Sequence, residues 1–336
     1  MENGEDPVQR PKATAELARL AAADYVHPPR RRRVFLPLVL FVATCASTFW
    51  VGAAAWRPEQ CFGQVEEASR VPQRNWQQQP DAEALERAAT APGLDFRRGL
   101  IYMAAVLGIL LAHEMGHFLT AMRHKIPASL PFFIPVPLLP FGTMGAVICM
   151  RGSQADRRQL FDLGIAGPLA GLMVALPITC VGIQQLDAAA PLHSGIPLHS
   201  PLIFRLLIGC LRPELPTDSY LYISQFNPLL MAGWVGMLVT GLNMVPISQL
   251  DGGHVAYGLF GRRAHLLARG LVMVAIAAVL IWEAYAWVVM LTLVILMGVD
   301  HPPTAEDRAR LGWPRRLIGW ASLAIPIVCL PPMRIP

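Results

Sequence analysis

Several runs of apolar residues are long enough to cross a lipid bilayer, and they constrain the fold of this chain more than any other feature. Segments 34–56 and 99–122 each exceed the roughly 20 apolar residues that a helix needs to span the hydrocarbon core. Further apolar runs cover 160–183, 225–245 and 270–299. Hydrophobic residues make up 54% of the chain and charged residues only 15%. The sequence therefore predicts an all-α polytopic membrane protein with about six or seven transmembrane helices.

The charges beside these apolar segments predict how the chain is oriented and divided. Four consecutive arginines precede the first segment, which favours a cytoplasmic N-terminus. We expect a flexible cytoplasmic tail (1–33), a first transmembrane anchor (34–56), an extracytoplasmic linker (57–98), a core (99–263) and additional C-terminal transmembrane helices (264–336). The tail carries acidic residues, which transit peptides lack, so we expect a bacterial inner membrane as the location.

Three parts of the apolar sequence depart from a simple series of spans. Five prolines between 127 and 140 rule out a continuous helix in segment 128–150, and residues 141–148 have an extended pattern. We expect a re-entrant loop or β-hairpin there, entering from the cytoplasmic side. The run 270–299 is either one long tilted helix or a hairpin of two short helices, and we favour the hairpin. Segment 317–331 is a weak last span.

A metal-binding pattern lies on the second apolar segment. His113 and His117 are four residues apart, so on a helix both imidazoles lie on the same side and can reach one metal ion. Glu114 projects about 100° from His113, where it would contact a metal-bound water rather than the metal. It is the only charged residue from 99 to 122, and a charge in a bilayer is costly enough to indicate a function. The alternative is a satisfied polar pair between two helices.

Asp251 is a second isolated acid, and the expected topology puts it at the same bilayer depth as the two histidines. Two imidazoles and a carboxylate suit zinc and leave a fourth position for water. Asp251 is alternatively the N-cap of a helix over 252–260. His254, three residues further on, is a candidate hydrogen-bond partner of Asp251, with a purely structural role as its alternative. The six cysteines are scattered without a Cys-x-x-Cys, so we expect neither a thiolate zinc site nor a disulfide framework.

Four stretches together resemble the site-2 proteases, which are intramembrane zinc metalloproteases. They are the HExxH residues 113–117, the Gly-Thr-Met-Gly-Ala of 142–146, the small-residue stretch 167–171, and 243–253 with its N-x-x-P followed by L-D-G. Their order and spacing fit that family from about residue 99 to 263. The resemblance is to the branch that lacks a PDZ domain and includes plant chloroplast members, because segment 184–222 is too short for such an insertion.

The resemblance implies a role for each candidate residue. His113, His117 and Asp251 would hold one zinc ion per chain, and Glu114 would be the catalytic base. Asn243 would hold substrate or the oxyanion, with a helix-end cap as the alternative. The broken segment next to the active site would offer an edge strand to the substrate. The core of the chain would then be an intramembrane metalloprotease.

The expected function is therefore that of an intramembrane zinc endopeptidase. It would hydrolyse peptide bonds in or near the transmembrane segments of membrane proteins, as in regulated intramembrane proteolysis. Its partners would be a substrate helix and the lipid bilayer, and its oligomeric state is open. The net charge of +5 comes without a basic face interleaved with aromatic residues, so we expect no nucleic-acid binding.

Two other functions fit part of the pattern. A transporter coupled to ions or protons would also place a glutamate and histidines in the membrane. The motif has no counterpart in a later half of the chain, which argues against the internal repeat common in transporters. An inactive zinc-binding membrane scaffold is the second alternative, and it would have no need of Glu114.

Overall fold

The described part of the protein is a bundle of apolar helices with two small two-stranded sheets. The computed structural model describes residues 34–56, 94–150, 155–186, 197–215, 220–282, 287–296, 298–302, 304–306 and 309–332. Phe35–Pro336 form one compact unit. The predicted tail 1–33 and residues 57–93 of the predicted linker lie outside the described residues, and the boundaries inside 34–336 stay a prediction.

The helices and strands follow one another in a mostly helical order. The first half contains α1 (Phe35–Ala53), α2 (Phe96–Arg123), β1 (Phe132–Val136), β2 (Gly142–Val147) and α3 (Arg157–Gln184). A smaller sheet and a short helix follow as β3 (Pro197–His199), α4 (Leu202–Leu211) and β4 (Tyr220–Tyr222). The remaining helices are α5 (Pro228–Asn243), α6 (Asp251–Phe260), α7 (Ala264–Trp282), α8 (Val288–Leu296), α9 (Trp313–Ser322) and α10 (Ile325–Cys329).

Most of the predicted membrane spans are present in the described part of the chain, although not all have full length. Within the described part of the chain, four helical stretches are long and apolar enough to cross a membrane: α1, α2, α3 and Asp251–Ile281. Helix α5, predicted as a span, has 16 residues and so measures about 24 Å, less than the roughly 30 Å of a hydrocarbon core. Most of its side chains are buried against other helices. The prediction of a helical membrane protein is confirmed.

The stretch Asp251–Ile281 is not one straight helix. A short 3₁₀ turn, Gly261–Arg263, separates α6 from α7, and Gly261 has a φ of 61°. This positive φ suits a residue without a side chain, and it lets the chain change direction between the two helices. Ala268 and Val272 of α7 pack in one cluster with Ile247 from the loop before α6. Helix α7 therefore runs back alongside α6.

Small residues bring α2, α3 and α5 into close contact. A Cβ on Gly116 of α2 would lie 2.4 Å from the carbonyl oxygen of Ala166 on α3. A Cβ on Gly182 of α3 would lie 2.5 Å from the backbone nitrogen of Leu230 on α5. The three backbones approach so closely that a methyl group has no room at these positions, which is the usual way in which membrane helices gain packing contact.

The proline-rich segment forms an antiparallel hairpin of β1 and β2. This is the second of the two alternatives, re-entrant loop or β-hairpin, that the sequence predicts. Phe132 pairs with Val147 and Val136 pairs with Gly142, with an irregular register near Pro135. The hairpin lies against α1, where the rings of Phe41 and Phe133 meet edge to face at 5.1 Å. The helix that the sequence predicts as an anchor therefore also covers the hairpin.

The C-terminal region confirms one prediction and corrects another. Helices α7 and α8 form a hairpin, because Arg269 near the start of α7 donates to Asp300 just after α8. The connecting residues 283–286 lie outside the described part. The expected weak span 317–331 is wrong: the chain forms the short helices α9 and α10. Pro326 at the start of α10 explains the division, because a proline cannot continue the hydrogen bonds of α9. Arg315 of α9, which precedes the expected span, is bound to Asp162 of α3.

Candidate metal centre

Helices α2 and α6 bring two histidines and an aspartate together. His113 and His117 lie one turn apart on α2, and Asp251 is the first residue of α6. The Nε2 atoms of the two histidines are 3.2 Å apart. Oδ2 of Asp251 lies 3.2 Å from Nε2 of His113 and 3.3 Å from Nε2 of His117. The sequence prediction that these three residues meet across the fold agrees with this geometry.

The three atoms form a nearly equilateral triangle of the size that a zinc ion requires. Ligands held at roughly 2.0 Å from a tetrahedral ion are about 3.3 Å from one another. Three edges of 3.2, 3.2 and 3.3 Å therefore match one face of a zinc tetrahedron. The fourth corner of that tetrahedron is left for a water or a substrate oxygen, as in catalytic zinc sites.

The hydrogen bond on the far side of His117 fixes which nitrogen faces the triangle. Nδ1 of His117 is 2.9 Å from the carbonyl oxygen of Leu163 on α3. A carbonyl only accepts, so Nδ1 must carry the hydrogen and neutral His117 presents a lone pair at Nε2. That lone pair points at the carboxylate of Asp251 and at Nε2 of His113. A cation between them removes the repulsion, and a backbone carbonyl behind the imidazole is the usual support of a metal-binding histidine.

Burial makes this group of side chains expensive without a cation. Only 2% of His113, 4% of Glu114 and 5% of His117 is exposed. A buried carboxylate needs compensation by an opposite charge or by hydrogen bonds. Glu114 follows His113 on α2 and is not among the three residues whose ligand atoms cluster. It is therefore placed beside the triangle without being part of it.

Two glycines of α3 form the wall behind the histidine rings, a role that the sequence does not show. A Cβ on Gly167 would lie 2.0 Å from Nε2 of His117, and a Cβ on Gly171 would lie 3.2 Å from Nδ1 of His113. Both glycines belong to the small-residue stretch 167–171. The same small residues that let α3 approach α2 also leave space for the two imidazoles.

Asp251 reaches the histidines because the loop before it is folded tightly. A Cβ on Gly252 would lie 2.0 Å from the carbonyl oxygen of Met244, and one on Gly253 would lie 2.2 Å from that of Ser248. The alternative reading of Asp251 as an N-cap is wrong. The N-cap of α6 is Leu250, which makes no side-chain cap bond, and the carboxylate of Asp251 is directed at the histidines instead.

The other two candidate residues lie on either side of the triangle. Asn243 is the last residue of α5, and its Nδ2 is 3.4 Å from Nε2 of His113. His254 is half-buried one turn after Asp251, but its Nδ1 lies 2.7 Å from Nε2 of His301, which follows α8. The structure thus brings Asn243 to the site and pairs His254 with a residue that the sequence did not single out.

The fold and the site define a class: a helical membrane protein in which two buried histidines and a half-buried aspartate could hold a metal ion beside a glutamate. The sequence pattern of peptidase family M50 matches residues 101–282, more than half of the chain. The chain belongs to peptidase family M50. It is an integral membrane protein, and the resemblance to the site-2 proteases is confirmed.

Similar proteins come from plants and carry related names. The chain is 31% identical over 310 residues to "Probable zinc metalloprotease EGY1, chloroplastic" of Arabidopsis thaliana, which covers 88% of this chain and 53% of that protein. It is 36% identical over 162 residues to the rice protein of the same name, covering 47% and 28%. It is 30% identical over 217 residues to "Probable zinc metalloprotease EGY2, chloroplastic" of Arabidopsis thaliana, covering 62% and 37%.

These relatives are longer than the part that matches. The chain spans about half the length, or less, of the three relatives. No solved structure matches the chain. The comparisons support the branch of the family with chloroplast members, which agrees with the expectation that segment 184–222 contains no PDZ domain.

Proposed function

We propose that this chain is an intramembrane zinc endopeptidase that cleaves membrane proteins in or near their transmembrane segments. The observation that carries the proposal is the triangle of His113, His117 and Asp251, whose edges fit zinc and whose fourth corner is left for a water or a substrate oxygen. Membership of peptidase family M50 and the names of the plant relatives support hydrolysis of peptides over transport.

Each residue of the site has a distinct part in the proposed reaction. A zinc ion held by the triangle would supply Lewis-acid activation of water and polarise the scissile carbonyl. Glu114 accepts the proton of the attacking water and passes it to the leaving amine. The Nδ2 group of Asn243 donates to the oxygen on which negative charge develops. The carbonyl oxygen of Leu163 keeps His117 in the tautomer that binds metal.

The hairpin of β1 and β2 is suited to hold the substrate in an extended form. In the described part of the chain, neither strand pairs with a third strand, so each keeps an outer edge available for hydrogen bonds. Ile134, Met144 and Val147 also expose apolar side chains there. A transmembrane helix must unwind before its peptide bonds can be cut, and pairing with a free strand edge replaces the backbone hydrogen bonds that it loses.

The same proposal includes a location and a division of the chain. Four arginines before α1 and basic residues after α2 support a cytoplasmic N-terminus. The acidic residues of 1–33 are unlike a transit peptide, which supports a bacterial inner membrane as the location. Residues 99–263 would form the proteolytic core, 34–56 an anchor and 264–336 additional helices. One zinc ion would bind per chain.

The decisive experiment separates metal binding from proteolysis. We expect Glu114→Gln to retain one zinc per chain, because Glu114 is not part of the triangle, while cleavage of a single-span substrate in vesicles falls by about 10²–10⁴-fold. Zinc is measured by elemental analysis of the purified chain. Glu214→Gln is the matched control, because this glutamate is exposed and lies just after α4.

The rival functions give different results in the same assay. Zinc in the wild-type chain without cleavage of any membrane substrate would support the inactive scaffold. Absence of zinc, with transport of an ion, would support the transporter. Undiminished cleavage by Glu114→Gln would rule out Glu114 as the base while leaving the metal centre in place.

A further inference from the structure

Two buried hydroxyl groups from two different helices bind the backbone of Phe141 and Gly142, where the turn of the hairpin leads into β2. We call these two residues the corner of the hairpin. The hydroxyl of Ser47 on α1 donates to the carbonyl oxygen of Gly142 at 2.6 Å. The hydroxyl of Tyr102 on α2 donates to the carbonyl oxygen of Phe141 at 2.8 Å. The two carbonyls are consecutive along the chain. They lie at the start of the strand β2, so this corner is fixed from both sides.

Among the buried hydroxyls of α1, Ser47 differs from its neighbours in what it binds. Thr44 donates to the carbonyl oxygen of Leu40 at 2.8 Å, and Thr48 donates to that of Thr44 at 2.7 Å. Both bonds stay within α1 and are the common way for a helix to satisfy its own hydroxyls. Ser47 alone of the three uses its hydroxyl for the hairpin, 95 residues further along the chain.

The contact between α1 and this corner leaves no space for a side chain at position 142. Gly142 has a φ of 72°, and a Cβ on it would lie 2.8 Å from the Cα of Thr48. The backbone of the hairpin therefore rests directly on the backbone of α1. A positive φ and this close approach both require glycine at 142. The position of the corner is set by backbone contact as well as by the two hydroxyls.

Tyr102 links the same corner to the metal centre. Its side chain is fully buried, with its ring edge to face against Trp56 at 4.5 Å. It lies on α2, eleven positions before His113, which is about three turns of the same helix. Because a helix is stiff over this length, holding Phe141 to Tyr102 fixes the hairpin relative to the histidines.

We propose that Ser47 and Tyr102 are positioning residues that set the hairpin at the correct distance from the metal centre, so that α1 belongs to the substrate-binding apparatus. The inference rests on the proposed function, because it takes the hairpin to be the strand that receives substrate. A two-stranded hairpin is only marginally stable by itself and needs outside support. A displaced hairpin presents its strand edge less well to the substrate, so the loss falls on substrate binding.

The test compares variants that remove one hydroxyl each. Ser47→Ala and Tyr102→Phe delete a donor to the corner, and Thr44→Val deletes a buried hydroxyl one turn away on the same helix. We expect the first two to raise KM by several-fold to about tenfold, since each leaves a buried carbonyl without its donor. We expect kcat to stay within about twofold and zinc content to be unchanged. Thr44→Val should match the wild type in all three quantities.

Hydrogen–deuterium exchange provides a readout that does not depend on proteolysis. Backbone amides of β2 should exchange several-fold faster in Ser47→Ala and Tyr102→Phe than in Thr44→Val, because the corner loses one of its supports. If no substrate is cleaved even by the wild-type chain, the proposed function fails, and the exchange data still show whether the hydroxyls hold the hairpin.

Two results would overturn the inference. Equal exchange in Ser47→Ala and Thr44→Val would show that the hydroxyl does not fix the corner. Faster exchange with an unchanged KM would show that the corner is held for stability alone and that α1 has no part in substrate binding. Tyr102→Phe keeps the ring against Trp56, so it provides the same comparison if Ser47→Ala does not fold.

Discussion

Gly167 offers a direct test of the metal centre because it touches a proposed ligand without being one. A Cβ at this position would lie 2.0 Å from Nε2, 2.4 Å from Cδ2 and 2.5 Å from Cε1 of His117. All three atoms belong to the imidazole edge that faces the triangle. The substitution Gly167→Ala therefore places a methyl group where the metal-binding nitrogen now lies.

The size of the required movement follows from these distances. Ordinary contact with a Cβ begins at 3.4 Å, so Nε2 would have to move by about 1.4 Å. Metal–ligand distances tolerate only about 0.2 Å. Moving α3 away from α2 would be costly as well, because it would break the close backbone contact between Gly116 and Ala166, the residues directly before His117 and Gly167. Either movement also disturbs the bond from His117 to the carbonyl of Leu163.

We expect Gly167→Ala to lower zinc affinity by at least about a hundredfold and to abolish cleavage, because one of three ligands is displaced. Zinc affinity is measured by competition with a chelator of known strength. Two other glycines give a graded comparison. Gly171→Ala brings its Cβ to 3.2 Å from His113 and should have a small effect, while Gly108→Ala meets nothing within 4 Å and should have none.

The order of the three variants is the result that matters. Wild-type zinc affinity in Gly167→Ala, with a folded chain, would refute the placement of His117 at the metal. Equal losses in Gly167→Ala and Gly108→Ala would show that any methyl on these helices disturbs the protein, so the loss would not report on the ligand. A loss confined to Gly167→Ala, with a smaller one at Gly171, would support the geometry of the triangle.

Two further substitutions address the ligand set and the attachment of the C-terminal helices. Asp251→Asn should reduce zinc affinity by tenfold or more, because a neutral amide replaces the only anionic ligand; full zinc content under chelator competition would exclude Asp251 as a ligand. Arg315→Ala should lower the unfolding free energy by less than about 1 kcal/mol, since Arg315 and Asp162 are 40% and 23% exposed and solvent screens their attraction. A small decrease in the thermal unfolding temperature with unchanged zinc content would confirm that this ion pair only attaches the C-terminal helices. Loss of zinc would contradict it.

The proposed catalytic and metal-binding residues could be singled out from the sequence because each is unusual in an apolar setting. Glu114 is the only charge in its segment, and Asp251 stands alone beside another span. The spacing of His113 and His117 fixes their common face through helix geometry alone. These signals are local or depend on matching depth in a bilayer. The structure brings the three proposed ligand atoms within 3.3 Å of one another.

The residues that surround and orient these side chains could not be predicted, because their roles depend on how the helices pack. The carbonyl oxygen of Leu163 orients His117, but every residue has such a carbonyl, so its sequence carries no sign of the role. Gly167 is recognisable as a packing residue, yet the atom it packs against depends on the rotation of two helices. His301 meets His254 only because the hairpin of α7 and α8 returns the chain to α6. Helix α5 is shorter than the apolar run 225–245, because its ends are set by caps at Asn227 and Met244 rather than by apolarity.

Contacts at the site cross the boundaries of the part of the chain that matches the family. The match covers residues 101–282, which includes the triangle and the hairpin. Ser47 lies before that range and holds the hairpin, while His301 lies after it and binds the helix that begins with Asp251. Because both contacts are buried or half-buried and reach across the fold, the matched segment is supported from both flanks. The first helix is therefore better understood as part of the working fold than as a detachable anchor.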